Sequence, residues 1–200
     1  METREIVKAI KEYNDENHLY VCSLGRTAEE VFNLLPNNQT LFLDCLGSTA
    51  GVGIGVAKGC PSAKVFSLET DGSFMYSLSV LHSIKSLANS LQNYVLFILN
   101  NDVLESAGGV PSRQVPLDWS LLGKAWGVQI SIINTLEELA DYLKSVHSDF
   151  SGPYISVLNI HNAAPSSCEK NIDGIESRYL FKRYINNHIN KGIIKPCVKN

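Results

Sequence analysis

The sequence predicts an α/β fold, a doubly wound parallel sheet with helices on both faces. Short apolar runs alternate with helical patterns along the chain, the order expected of strand, crossover helix and next strand. Runs such as Val65 to Leu68 and Tyr94 to Leu99 lack the polar alternation of a half-exposed sheet, as strands covered on both faces do. Two hundred residues, 44% hydrophobic and 18% charged, suit a single domain over 1–200.

Ile6, Val7 and Ile10 recur at helical spacing among charges and predict an amphipathic helix from Thr3 to about Glu16. His18 to Leu24 reads as a strand, and Thr27-Ala28-Glu29-Glu30 as a capping box opening a helix through Leu35. Pro36-Asn37-Asn38 breaks that helix before a strand from Thr40 to Cys45. The glycines from Gly47 to Gly59 do not keep the G-x-G-x-x-G register and no Gly-Lys-Ser/Thr follows, so no nucleotide loop is expected. They predict a small-residue helix packed closely on the sheet. Next come the strand from Val65 to Leu68, a turn at Asp71-Gly72-Ser73, a helix from about Phe74 to Ala88, and a strand ending at Asn100-Asn101.

Asp102 to Pro116 contains Gly and Pro and has a loop length that is usually functional or mobile. Asp118 can cap a helix through about Trp126, and Val128 to Ile133 is a strand. Thr135-Leu136-Glu137-Glu138 is a second capping box, for a helix to about His147. Tyr154 to Ile160 is a strand, His161 to Asp173 a polar segment, and Ile175 to Ile189 a last helix.

A net charge of −3 gives no electrostatic reason to expect nucleic acid or an anionic membrane as partner. The basic run from Arg178 to Asn200 reads as a solvated face. The charged N-terminus lacks the apolar core of a signal peptide, and no run approaches about 18 apolar residues, so a cytoplasmic chain is expected. Cys22, Cys45, Cys60, Cys168 and Cys197 contain no C-x-x-C pair and are expected to be reduced thiols. Asn38-Gln39-Thr40 matches a glycosylation sequon without a secretory context. The five histidines are scattered, with no nucleophile constellation around them, and no catalytic role is assigned to any.

The chemistry concentrates between Lys64 and Pro111. In an open parallel sheet the ligand crevice lies at the carboxyl ends of the strands, so Asp71 and Asn101 can converge although thirty positions separate them. A carboxylate and an amide oxygen suit a hard cation such as Mg²⁺, which takes its remaining ligands from water and phosphates. The free N–H groups of the helix opening at Ser73 would face the same phosphate.

Thr70-Asp71-Gly72 followed by Asn100-Asn101 resembles the diphosphate-binding motif of thiamine diphosphate enzymes, with Thr70 in place of the first glycine. Nearly the whole chain resembles the cofactor-binding half of phosphonopyruvate and sulfopyruvate decarboxylases. The resemblance is carried by Ser23 to Thr27 with Glu29 to Phe32, Leu46 to Ala50, Asp71-Gly72-Ser73, and Asn100 to Gly109. The Glu-Ser-x-Gly-Gly run after Asn-Asn favours phosphonopyruvate.

The resemblance implies thiamine diphosphate and Mg²⁺ as cofactors, with Asp71, Asn101 and the Val103 carbonyl as metal ligands. It implies that Gly25, Arg26 and Thr27 lie near the diphosphate with Asp71, Gly72, Ser73 and Asn101. Gly47 would offer its carbonyl to the aminopyrimidine, followed by Ser48, and Thr49 stands where the family has a larger apolar wedge. Arg26 and Arg113 are candidates to meet an anionic substrate head. The glutamate that activates the cofactor belongs to a separate pyrimidine-binding domain, so a hetero-oligomer with an alpha-type subunit is implied. The implied activity is conversion of phosphonopyruvate, a small 2-oxoacid, to phosphonoacetaldehyde and CO₂ in phosphonate biosynthesis. A sulfopyruvate decarboxylase beta subunit, or a non-catalytic cofactor-binding or regulatory subunit of the same fold, is the alternative.

Overall fold

Apolar runs bounded by turns become strands here because the central ones are covered from both sides. A computed structural model describes residues 1–113, 115, 117–161 and 169–197. Cys168, parts of the 102–116 loop and of the 161–173 segment, and the end of the basic run lie outside them. The chain runs α1 (Thr3–Glu12), β1 (His18–Cys22), α2 (Arg26–Leu34), β2 (Thr40–Phe42), α3 (Thr49–Gly59), β3 (Lys64–Thr70), α4 (Asp71–Phe74), α5 (Val80–Ser86) and β4 (Tyr94–Asn100). It continues with β5 (Val103–Leu104), β6 (Val110–Pro111), α6 (Trp119–Trp126), β7 (Ser131–Ile133), α7 (Leu136–Ser148), β8 (Tyr154–Asn159) and α8 (Gly174–Asn190).

Six strands form one parallel sheet in the order β2-β1-β3-β4-β8-β7, and β5 and β6 form a separate antiparallel hairpin. The chain turns one way from β1 to β2 and the other way to β3, so the crevice of such a sheet opens between the ends of β1 and β3. One apolar core, built on α1, α2 and α7, fills one face; a second, under α3, α5, α6 and α8, fills the other. All of β1 and β4 is buried. The outer edge of β2 is covered by a side chain of α8: Ser177 Oγ accepts from Phe42 N at 2.9 Å and lies 3.5 Å from the Thr40 carbonyl.

Several elements differ from expectation. The helix expected from Phe74 to Ala88 is broken into α4, a 3₁₀ turn at Met75–Ser77 and α5. Ser77 Oγ donates to the Phe74 carbonyl at 3.3 Å, the local competition by which serine loosens a helix. The capping box at Thr27 does not form. Gly25, at φ 81°, a backbone state few other residues enter cheaply, caps α2 instead, and Thr27 is buried inside its first turn. Asp118 and Thr135 do cap α6 and α7, accepting from Leu121 N and Glu138 N. The four cysteines among the described residues are free thiols, and among those residues no helix is long and apolar enough to cross a membrane.

The small-residue helix lies on the sheet as expected, but one glycine accounts for the contact. A Cβ on Gly53 would collide with Ser67 Oγ and come within 2.9 Å of the Tyr94 ring, whereas Gly51, Gly55 and Gly59 face open space. Gly53→Ala should therefore cost roughly 1 to 3 kcal/mol by overpacking, read as a lowered melting temperature. Gly51→Ala should be neutral or stabilising by up to about 1 kcal/mol from helix propensity.

At the opposite end of the sheet from the crevice, His18 is buried among Tyr20, Phe66 and His147. Desolvation lowers its pKa from 6.5 to about 4; Asp15 opposes this, and Lys64 and His147 add to it. The unfolded chain thus takes up this proton at a higher pH than the folded one. Stability from this residue is complete above pH 6.5 and is lost as pH falls to about 4, a loss on the order of 3 kcal/mol. Urea unfolding across that range should show the slope, and His18→Phe should remove it.

Candidate functional site

Three segments meet above the crevice: Ser23 to Thr27 after β1, Cys45 to Thr49 before α3, and Thr70 to Ser73 after β3. One hydroxyl ties them together. Ser73 Oγ accepts from Gly47 N at 2.9 Å, donates to Glu69 Oε1 at 2.7 Å and lies 3.5 Å from Ser23 Oγ. Gly47 has φ 72°, and a Cβ there would stand 2.8 Å from Tyr76 Cβ, so both its conformation and its neighbour require glycine.

Glu69 is fully buried, and its other oxygen accepts from Ala50 N at 3.2 Å. That N–H belongs to the first turn of α3, whose own N-cap, Ser48, makes no side-chain cap. A carboxylate on the neighbouring strand therefore serves the positive end of this helix. Burial raises the Glu69 pKa, opposed by hydrogen bonds from Ser73, Ala50 and Thr49.

Thr70 has an extended backbone, φ −85° and ψ 155°, and its hydroxyl accepts from Ser73 N at 3.4 Å. The side chain that replaces the motif's glycine thus caps α4 and imposes no backbone strain. At the next position, Leu104 Cδ2 stands where a Cβ on Gly72 would lie, a contact that a shift of the leucine end relieves.

Asp71 is the second buried acid of the site, with no exposed side-chain surface. Its Oδ1 is 3.4 Å from Asn101 N, and its Oδ2 accepts from Ser112 Oγ at 2.6 Å and Arg113 Nη1 at 2.8 Å. Arg113 also donates through Nη2 to Asn100 Oδ1 at 3.0 Å and to Asp102, and its guanidinium lies 5.5 Å over the Trp119 ring. Asn101 Oδ1 accepts from Val103 N at 3.2 Å, and its amide donates to Glu105 Oε1 at 3.2 Å. The second Glu105 oxygen accepts from Arg26 Nε at 3.1 Å, so one carboxylate bridges the β1 turn and the β4 end.

Of the residues expected to form the site, Gly25, Arg26, Thr27, Ser73, Asn101 and Val103 line one small cavity of about 70 Å³. Asp71 joins it through Asn101, and Gly47 through Ser73. Thr49 is buried, with a hydroxyl that meets no partner, and Ser48 Oγ donates to the Cys45 carbonyl at 3.2 Å. Glu69, Glu105, Ser112 and Trp119 carry contacts that sequence reasoning did not assign. Of these only Glu105 had a signal, as the first residue of the Glu-Ser-x-Gly-Gly run; Glu69 lies just beyond the expected strand from Val65 to Leu68. The oxygens of Asp71, Asn101 and the Val103 carbonyl are the donor chemistry a hard cation takes. Here the cation beside Asp71 is the guanidinium of Arg113, and among the described residues no cluster of three His, Cys, Asp or Glu forms a metal cage.

Residues 22–156 match the thiamine pyrophosphate enzyme family through its C-terminal TPP binding domain. The chain belongs to that family. A candidate thiamin diphosphate-dependent enzyme from Mycobacterium smegmatis, solved by X-ray, shares the fold at a TM-score of 0.68 and 18% identity. The match covers 82% of this chain and 32% of that one, so this chain spans about a third of its length. No curated protein matches the sequence.

The Gly47–Ser73–Glu69 chain is open to a direct test. Ser73→Ala leaves the Gly47 N–H and a buried carboxylate each short of a partner, and should cost about 1 to 3 kcal/mol in denaturant unfolding. In a double-mutant cycle, Ser73→Ala and Glu69→Gln should be less than additive, with a coupling of at least about 0.5 kcal/mol.

Proposed function

We propose that this chain is the diphosphate-binding, beta-type subunit of a thiamine diphosphate-dependent 2-oxoacid decarboxylase, converting phosphonopyruvate to phosphonoacetaldehyde and CO₂. The observation that carries the reading is the meeting of Asp71 and Asn101, 3.4 Å from carboxylate to backbone N–H across thirty positions, in a chain of the TPP-binding family. Asp71, Asn101 and the Val103 carbonyl would hold Mg²⁺, and Gly25 to Thr27 with Ser73 would border the diphosphate. Gly47, pinned through its N–H by Ser73, would turn its carbonyl to the aminopyrimidine. When bound, the cofactor supplies the electron sink that loss of CO₂ requires.

This chain's own acids support a division of labour. Glu69 is committed to Ser73 and the start of α3, Asp71 to Arg113 and Ser112, and Glu105 to Arg26 and Asn101. None of these three is available to protonate the aminopyrimidine. An alpha-type, pyrimidine-binding subunit would supply that glutamate in a hetero-oligomer. Sulfopyruvate, which differs in its anionic head, is the alternative substrate. The pairing of Arg113 with Asp71 is the observation that favours a non-catalytic subunit instead.

Calorimetric titration with thiamine diphosphate and Mg²⁺ tests the reading. Wild type should bind and Asp71→Ala should not; unchanged affinity in the variant removes the metal assignment. By itself the chain should release no CO₂ from phosphonopyruvate or sulfopyruvate, and a pyrimidine-domain subunit should restore release from one of them. Turnover by the isolated chain would end the split-enzyme proposal.

A further inference from the structure

We infer that Arg113 is a tethered competitor of the divalent cation at Asp71, so that loading metal and diphosphate expels the guanidinium from the site. The inference rests on the metal-binding reading proposed above and adds a second state of the same carboxylate.

Asp71 has no exposed side-chain surface, and an ionised carboxylate so placed needs a cation and hydrogen-bond donors. Arg113, itself 12% exposed, provides the charge at 2.8 Å, and Ser112 provides a donor. Mg²⁺ takes its oxygens at about 2.0 to 2.1 Å and would compete with the guanidinium for this carboxylate. The second side-chain ligand is committed as well, since Asn101 Oδ1 accepts from Val103 N. Two cations on one buried carboxylate would repel each other at short range in a medium that screens poorly.

A count of donors separates a competitor from a permanent substitute for the metal. Arg113 Nη1 serves Asp71 and Ser112, Nη2 serves Asn100 and Asp102, and Nε is buried without a partner. All four terminal N–H bonds are spent within the chain. The guanidinium neutralises Asp71 yet turns no terminal donor toward a phosphate. A divalent cation held by Asp71 would offer positive charge to a phosphate as well, which the arginine in this position does not.

The surroundings make withdrawal a single movement. Arg113 follows the β5–β6 hairpin, whose Ser112 N donates to the Asp102 carbonyl at 2.8 Å and whose Leu104 lies on Gly72. Withdrawal of the Arg113 side chain alone frees Asp71 and leaves Val103 of β5 beside Asn101. A cavity of about 800 Å³ adjoins, with Asn100, Asp102, Arg113, Trp119 and Asn159 in its wall. Arg113 can leave Asp71 and the Trp119 face for that space while keeping Asp102 as a partner, so expulsion need not strand the charge.

The test uses Mg²⁺ and thiamine diphosphate with the full chain and Arg113→Gln. If Arg113 holds Asp71 about nine-tenths of the time, removing it should tighten Mg²⁺ binding, measured calorimetrically at saturating cofactor, by about tenfold. A second readout is independent of affinity. The chain has two tryptophans; in a Trp126→Phe background, Trp119 emission should shift when Mg²⁺ and cofactor are added together, and should not shift in the added Arg113→Gln variant. Binding that is tighter in Arg113→Gln, or seen only there, supports the exchange. Wild-type binding with equal or weaker affinity in the variant overturns the exchange and leaves the cofactor reading standing. No binding in either protein overturns both. Should Arg113→Gln fail to fold by circular dichroism, Trp119 in the single-tryptophan chain decides: a shift on loading supports the exchange, and a silent Trp119 overturns it.

Discussion

Buried negative charge must be compensated, and the two acids at the end of β3 impose that requirement on everything around the crevice. Glu69 is compensated by the start of α3 and by Ser73, which fixes Gly47 and the helix relative to the strand. Asp71 is compensated by the far side of the β5–β6 hairpin, which brings Ser112 and Arg113 over the sheet. The two turns flanking the crevice are thus held by charges two positions apart. The first arrangement is closed on itself. The second presents a carboxylate whose partner is carried on a separate hairpin.

The sheet was legible from the sequence because fully covered parallel strands leave an unmistakable apolar run, and because strand ends in such a sheet share one side. The convergence of Asp71 and Asn101 followed from those two facts alone. Thr27 misled because a capping box is a local pattern, whereas Gly25 wins the cap by a backbone state that spacing does not display. The break between α4 and α5 was hidden for a similar reason: serine's competition with the backbone leaves the apolar periodicity intact.

The missed part of the site has a different cause. Ser112 and Arg113 reach Asp71 from 41 and 42 positions away, and Glu69 reaches Ala50 across 19. No periodicity or motif links such pairs; they are consequences of which loops the strand order brings together. Glu69 stands just beyond the run from Val65 to Leu68, and its meaning depended on a helix end that only the packed fold supplies. Of five glycines in the segment from Gly47 to Gly59, the sequence could not say that Gly53 and Gly47 are the two with a steric reason.

The hydroxyl of Ser177 on the β2 edge has a consequence beyond the fold of one chain. An open strand edge is a template for another strand, and a three-residue run such as Thr40–Phe42 offers a short one. By occupying the Phe42 N–H with a helix side chain, the protein takes that border of the sheet out of circulation. Growth of the sheet into a neighbour is discouraged on this flank, so copies crowded together have less opportunity to polymerise through their backbones there. At this border the outward N–H of Phe42 is met by a hydroxyl and is not left for another strand.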